Sequence, residues 1–155
     1  GLQRVKKTDN FDDPNSAHWY WGVDDGKPGT LITYFERDPK ATRRAQVGRG
    51  LTHHFAFAVE DEEEQKEWRY RLNNAGYRVS QILDRDYFRS IYTHDPDGHI
   101  VELATVGPGF AHDEDPSELG QRLQLPSWLE QHRDQIESAL TPLVIPDWKN
   151  PLEEA

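Results

Sequence analysis

Short bursts of alternating apolar and polar residues, broken by Gly, Pro and Asp clusters, run along most of this chain, and one helical period interrupts them. From Val5 to Phe35, aromatic and β-branched runs at His18-Trp19-Tyr20-Trp21 and Thr30-Leu31-Ile32-Thr33-Tyr34-Phe35 stand between turn clusters at Asp12-Asp13-Pro14-Asn15 and Asp24-Asp25-Gly26-Lys27-Pro28-Gly29. That pattern predicts a three-stranded meander. Residues 37–50 carry neither a strand nor a helix period and read as a surface linker. A second unit follows over 51–110. Leu51–Val59 is expected as a strand, Asp61–Ala75 as a helix, and Tyr77–Leu83, Phe88–Thr93 and His99–Val106 as further strands. Gln65, Trp68, Leu72 and Ala75 recur on one helical face, and Gly76 is placed to end the helix. Asp95-Pro96-Asp97-Gly98 predicts a tight turn. The order is β-α-β-β-β. Residues 111–155 form an extension, in which Pro126–Leu140, with Leu129, Ile136 and Leu140 on about one face, predicts a terminal packing helix.

Composition narrows the chemistry. At 155 residues the chain is long enough to bury a core without staples, so a bound metal would serve function rather than folding. With no cysteine, neither disulfides nor thiolate metal sites are available, and any ion must be held by imidazole and carboxylate. The net charge of -10 and a pI near 5.1 exclude a nucleic-acid partner, which needs a basic face. No apolar run approaches a bilayer span, and the opening Gly1–Lys7 stretch lacks a signal-peptide core, so a cytoplasmic protein is expected. The chain has no methionine and opens on Gly1, which leads us to expect that the natural start lies upstream.

Strand alternation singles out two residues. In Leu51–Val59 it sets His53, Phe55, Phe57 and Val59 on one face, and His54, Ala56 and Ala58 on the other. A floor of small residues around one imidazole suits a cup for an ion and a small ligand better than a packed core. In the last strand Val101, Leu103 and Thr105 alternate with Ile100, Glu102 and Ala104. A carboxylate among those apolar residues is costly to bury unless a cation meets it. If both strands share a sheet, His54 and Glu102 converge on one ion.

Other residues have plainer readings. His18 suits a hydrogen-bonded structural role better than ligation. His94, His99, His112 and His132 are expected toward solvent, and Glu60–Glu64 as the acidic first turn of the helix. Trp19, Trp21, Trp68, Trp128 and Trp148 are expected in core or interface. Arg85 could pair with an acidic neighbour.

Four stretches together carry a resemblance: Gly50-Leu51-Thr52-His53-His54-Phe55-Ala56-Phe57, Asp84–Tyr92, Asp95-Pro96-Asp97-Gly98-His99-Ile100-Val101-Glu102-Leu103-Ala104-Thr105, and Gly107-Pro108-Gly109-Phe110. They resemble the last βαβββ module of the vicinal-oxygen-chelate superfamily (glyoxalase, bleomycin resistance protein and extradiol dioxygenase), most of all its hydroquinone-type ring-cleaving dioxygenases. The resemblance implies an α+β fold of paired βαβββ modules making a curved mixed sheet around a metal cup, with a C-terminal helix. Residues 1–36 resemble the first module without its opening strand. It further implies His54 and Glu102 as ligands of Fe(II), or alternatively Mn(II) or another divalent metal, with His53, Arg85 and Tyr92 acting on substrate oxygens and protons. The missing strand would supply the second histidine of a two-histidine, one-carboxylate set. The implied activity is dioxygenase cleavage of a hydroquinone- or catechol-type ring with O₂, in a homodimer. The rival readings are a glyoxalase-like metal-dependent lyase or isomerase, and a metal-free small-molecule-binding module of the same superfamily.

Overall fold

A computed structural model describes residues 1–40 and 42–141. The meander is present as β1 (Gln3–Asn10), β2 (Asp13–Gly22) and β3 (Ile32–Glu36), paired antiparallel in that order. Its first turn is tighter than the sequence suggests. It closes on Phe11 and Asp12, with Asn10 capping the Asp12 N–H at 3.1 Å, so Asp13–Asn15 already belong to β2.

The second unit contains β4 (His54–Val59), α1 (Glu62–Asn74), β5 (Leu83–Asp84), β6 (Arg89–His94) and β7 (Ile100–Thr105). Its sheet is mixed, in the order β4-β7-β6-β5, with β4 parallel to β7 and the other pairs antiparallel. The α+β architecture with a complete β-α-β-β-β unit is therefore present.

The helix forms where its end signals place it. Asp61 is the N-cap, its carboxylate accepting the Glu64 N–H at 2.9 Å, and Glu62, Glu63 and Glu64 fill the first turn, where the helix dipole favours negative charge. At the other end Gly76 takes a φ of 87°, and the Gly76 and Tyr77 N–H groups close onto the Asn73 and Leu72 carbonyls at 3.0 Å each. The face carrying Trp68 and Leu72 packs on Val59, Ile91 and Leu103, the buried apolar core. Gln65, wholly buried on the same face, donates through Nε2 to the Arg89 and Leu103 carbonyls at 2.8 Å each. It thus ties β6 to β7 from the helix side. Coverage is incomplete: an apolar cavity of about 560 Å³, lined by Leu2, Phe57, Trp68, Leu72, Val101 and Leu103, remains on this face.

Three expected elements differ from the sequence reading, each for a local reason. The strand expected from Leu51 begins only at His54, because its partner β7 begins at Ile100, directly after the Asp95–Gly98 turn, and offers nothing earlier to bond. The strand expected over Tyr77–Leu83 shrinks to Leu83–Asp84. There the Ser80 carbonyl turns to Arg69 Nε of the helix at 2.7 Å, and the Tyr92 N–H bonds to the Ser80 side chain instead of a ladder carbonyl. The C-terminal helix is a 3₁₀ turn at Glu130–His132 followed by α2 (Arg133–Ala139). No residue of α2 is buried, so among the described residues it does not serve the packing role expected of it. Arg133, held by Glu130, Glu137 and the Leu123 carbonyl, ties it together instead. Trp128 is likewise exposed, and Trp148 lies outside the described residues.

The segment that follows β3 reaches the β6–β7 turn. The Ala45 N–H bonds to the Asp97 carbonyl at 2.8 Å, and the Tyr34 phenol of β3 is raised above its usual pKa, first by burial and then by the Asp95 and Asp97 carboxylates.

Candidate functional site

The parallel β4–β7 pair is what brings the two singled-out residues together. Ala56 lies across from Glu102 and His54 across from Ile100, while on the other side of β7 Tyr92 faces Glu102 and Ser90 faces Ala104. Because side chains alternate, His54, Ala56, Glu102, Ala104, Ser90 and Tyr92 share the face of the sheet that α1 does not cover. Phe55, Phe57, Val101 and Leu103 point to the helix side.

Glu102 is the buried centre of this face, 4% exposed. One of its oxygens, Oε1, accepts the Tyr92 hydroxyl at 2.8 Å and the Ser90 hydroxyl as well. The other, Oε2, stands 3.0 Å from His54 Nε2. Such a carboxylate would be strongly destabilising without partners, and these three side chains supply them. His54 itself is open to solvent, its side chain 41% exposed, so the pair forms a floor with an accessible side.

His53 reaches this cluster by a route that alternation did not foresee. Since β4 starts at His54, His53 precedes the strand and escapes its period. Its Nδ1 lies 2.9 Å from His54 Nδ1, the two rings edge to face. No bulge is needed. Beside His53 opens a cleft of about 370 Å³, lined also by Thr52, His94, His99 and Ile100.

Arg85 sits in the β5–β6 turn, which is shaped by Asp86 at a φ of 63° and closed by the Arg85 N–H bonding to the Phe88 carbonyl at 2.9 Å. The Arg85 guanidinium lies 5.5 Å from the Tyr92 ring centroid, and its Nε is 3.4 Å from the Tyr92 hydroxyl. Among the described residues it makes no ion pair, so the acidic partner considered for it is not found. The structure therefore joins all five singled-out residues in one chain of contacts: Arg85 to Tyr92, Tyr92 to Glu102, Glu102 to His54, and His54 to His53.

The remaining histidines stand apart from that chain. His18 stacks on Phe35 with Nδ1 at 2.8 Å from the Tyr20 hydroxyl, while its Nε2 is buried without a hydrogen-bond partner among the described residues. His99 Nδ1 pairs with Asp95 at 3.0 Å, and His94, His112 and His132 are exposed.

Ser90 is the residue that sequence reasoning missed. It is wholly buried and bonded to Glu102. Its signal was available: it lies two positions before Tyr92 in one strand and therefore on the same face.

The donor set can be tested against a metal. Two donors at about 2.0–2.2 Å from a common ion, roughly at right angles, stand about 3 Å apart. The 3.0 Å separation of His54 Nε2 and Glu102 Oε2 matches that edge, and imidazole with carboxylate suits a divalent ion of borderline hardness. Among the described residues no group of three potential ligands gathers; this face carries two candidate donors.

Known proteins resemble this chain over most of its length. Residues 1–103 match the family model of the Glyoxalase/Bleomycin resistance protein/Dioxygenase superfamily. The chain is 38% identical over 147 residues to a Bacillus subtilis (strain 168) protein named "Putative ring-cleaving dioxygenase MhqO", a match covering 94% of this chain and 43% of that protein. It is 34% identical over 122 residues to the "Chlorohydroquinone/hydroquinone 1,2-dioxygenase" of Sphingobium indicum, covering 77% of this chain and 37% of that one. The crystal structure of a protein titled a putative dioxygenase from Bacillus subtilis superposes with a TM-score of 0.76 at 35% identity, over 93% of this chain and 43% of that chain. The chain thus spans less than half the length of these relatives. A family model matching two thirds of the sequence, together with a β-α-β-β-β unit that sets a histidine beside a buried carboxylate, establishes that this chain belongs to the glyoxalase/bleomycin resistance protein/dioxygenase superfamily.

Proposed function

We propose that this chain carries the ligand-bearing module of an Fe(II)-dependent ring-cleaving dioxygenase acting on a hydroquinone- or catechol-type compound. The observation that carries the reading is the His54–Glu102 pair, 3.0 Å apart on the uncovered face of the sheet. Names of the relatives supply the reaction class: ring-cleaving dioxygenase for one, hydroquinone 1,2-dioxygenase for another.

In this reading His54 and Glu102 hold the ion, and a further histidine from outside this unit completes the set. Iron(II) in such a set, when bound, supplies open positions and the electron relay between a ring-bound oxygen and O₂. The protein's own residues do the rest. Glu102, its Oε1 occupied by Tyr92 and Ser90, presents one oxygen in a fixed direction. The Arg85 guanidinium, free of any carboxylate partner among the described residues, is available to an anionic substrate oxygen at the Tyr92 hydroxyl. His53, exposed and beside the cleft, is placed to take a proton from a substrate hydroxyl and release it to solvent.

A metal-free binding module is the second reading, favoured by a His54–Glu102 pair that satisfies itself by a direct contact. A lyase or isomerase on the same ligands would consume no oxygen. The deciding experiment is elemental analysis of anaerobically purified protein with O₂ uptake on hydroquinone and catechol. We expect bound iron and substrate-dependent uptake, both lost in Glu102→Ala. Retention of iron and turnover by Glu102→Ala would sink the assignment.

A further inference from the structure

We propose that Ser90 is a positioning residue that makes Glu102 a one-oxygen ligand, by holding Oε1 permanently and leaving Oε2 to the ion. This rests on the reading of Glu102 as a ligand and extends it to a residue outside the expected site.

A glutamate's last torsion is broad and nearly two-fold, so an unrestrained carboxylate presents either oxygen, or both. Two donors converging on Oε1 remove that freedom, because turning the carboxylate would break both hydrogen bonds. The donors are not equivalent. Tyr92 is only partly buried, touches Arg85, and stands where a substrate oxygen could recruit its hydroxyl. Ser90 is wholly enclosed, opposite Ala104. If Tyr92 turns to a substrate, Ser90 still caps Oε1.

Two further observations support the assignment. The row holding Ser90 and Ala104 otherwise suits small apolar side chains, and a hydroxyl buried there is costly unless it finds an acceptor. Its acceptor is Glu102. The backbone at this spot is also fixed from behind, since Gln65 bonds the carbonyls of Arg89 and Leu103, the residues just before Ser90 and just after Glu102. Partners that orient a ligating carboxylate commonly change metal affinity by about 10–100-fold when removed.

The test is an Mn(II) titration, reading free ion by electron paramagnetic resonance, on the unmutated protein and on Ser90→Ala, Ser90→Thr, Ser90→Val and Glu102→Ala, each with a thermal melt. Threonine and valine have nearly the same shape, so their difference isolates the hydroxyl even if the alanine protein unfolds. We expect Ser90→Ala and Ser90→Val to bind at least about tenfold more weakly than the unmutated protein, and Ser90→Thr to stay within a few-fold of it. Equal affinity for the Thr and Val proteins overturns the role of Ser90 while leaving Glu102 a ligand. Unchanged affinity in Glu102→Ala defeats the ligand reading and this proposal with it, and no binding by the unmutated protein overturns the proposal for this chain.

Discussion

The two sheets of this molecule are built from similar strands and held by different means. The β4-β7-β6-β5 sheet is backed by α1 and owns the buried apolar residues Val59, Ile91 and Leu103. The β1-β2-β3 sheet has the two longest strands yet no buried apolar residue among the described residues; its buried side chains are the polar Asn10 and Ser16. It relies on its ladder and on surface contacts such as Lys7 Nζ over the Trp19 ring at 4.4 Å. Strand length, then, does not decide where the apolar core forms; a helix to cover one face does. The ligand candidates sit on the sheet that has one.

This contrast can be broken in graded steps. Ile91→Ala empties the centre of the helix-backed core and should cost about 2–5 kcal/mol in denaturant unfolding. A smaller loss, about 1–3 kcal/mol, is expected for Gln65→Ala, which strips two buried carbonyls of their partner, and hydrogen exchange should quicken in β6 and β7 first. Trp19→Ala should cost no more than about 1 kcal/mol and quicken exchange in the β1-β2-β3 sheet alone. If it destabilises the whole protein as much as Ile91→Ala does, the contrast between the sheets is wrong. Arg133→Ala should leave both sheets untouched and act only on α2. Glu130 is held below its usual carboxyl pKa first by its hydrogen bond to Arg133. That contribution is present above the ordinary carboxyl range and fades as pH falls through the lowered folded value. In Arg133→Ala the Glu130 titration, followed by NMR, should move back up.

Much of this was legible in the chain. Alternation set His54 and Glu102 each on a definite face of its own strand, and Asp61 and Gly76 marked both helix ends, because these are short-range rules that packing did not override; the β4–β7 pairing that joins the two faces was not in the alternation. What escaped depended on partners remote in sequence. His53 joined the site because β7 begins late and shortens β4. The edge strand at Tyr77–Leu83 was lost to Arg69 and the Ser80 hydroxyl, whose competition for backbone groups has no periodic signature. Ser90 went unnoticed because a serine in a strand is unremarkable until the carboxylate beside it is known. The helical period of α2 marked its apolar positions without saying whether any surface would receive them.

The parallel seam between β4 and β7 is also the most distant pairing in sequence within its sheet. Its strands are the first and last of the unit, so the helix and both other strands intervene and must be gathered before it can close, at a loop-closure cost that local hairpins avoid. His54 and Glu102 lie on opposite sides of that seam. A ligand held by both would therefore act as a clasp between the first and last strands of the unit.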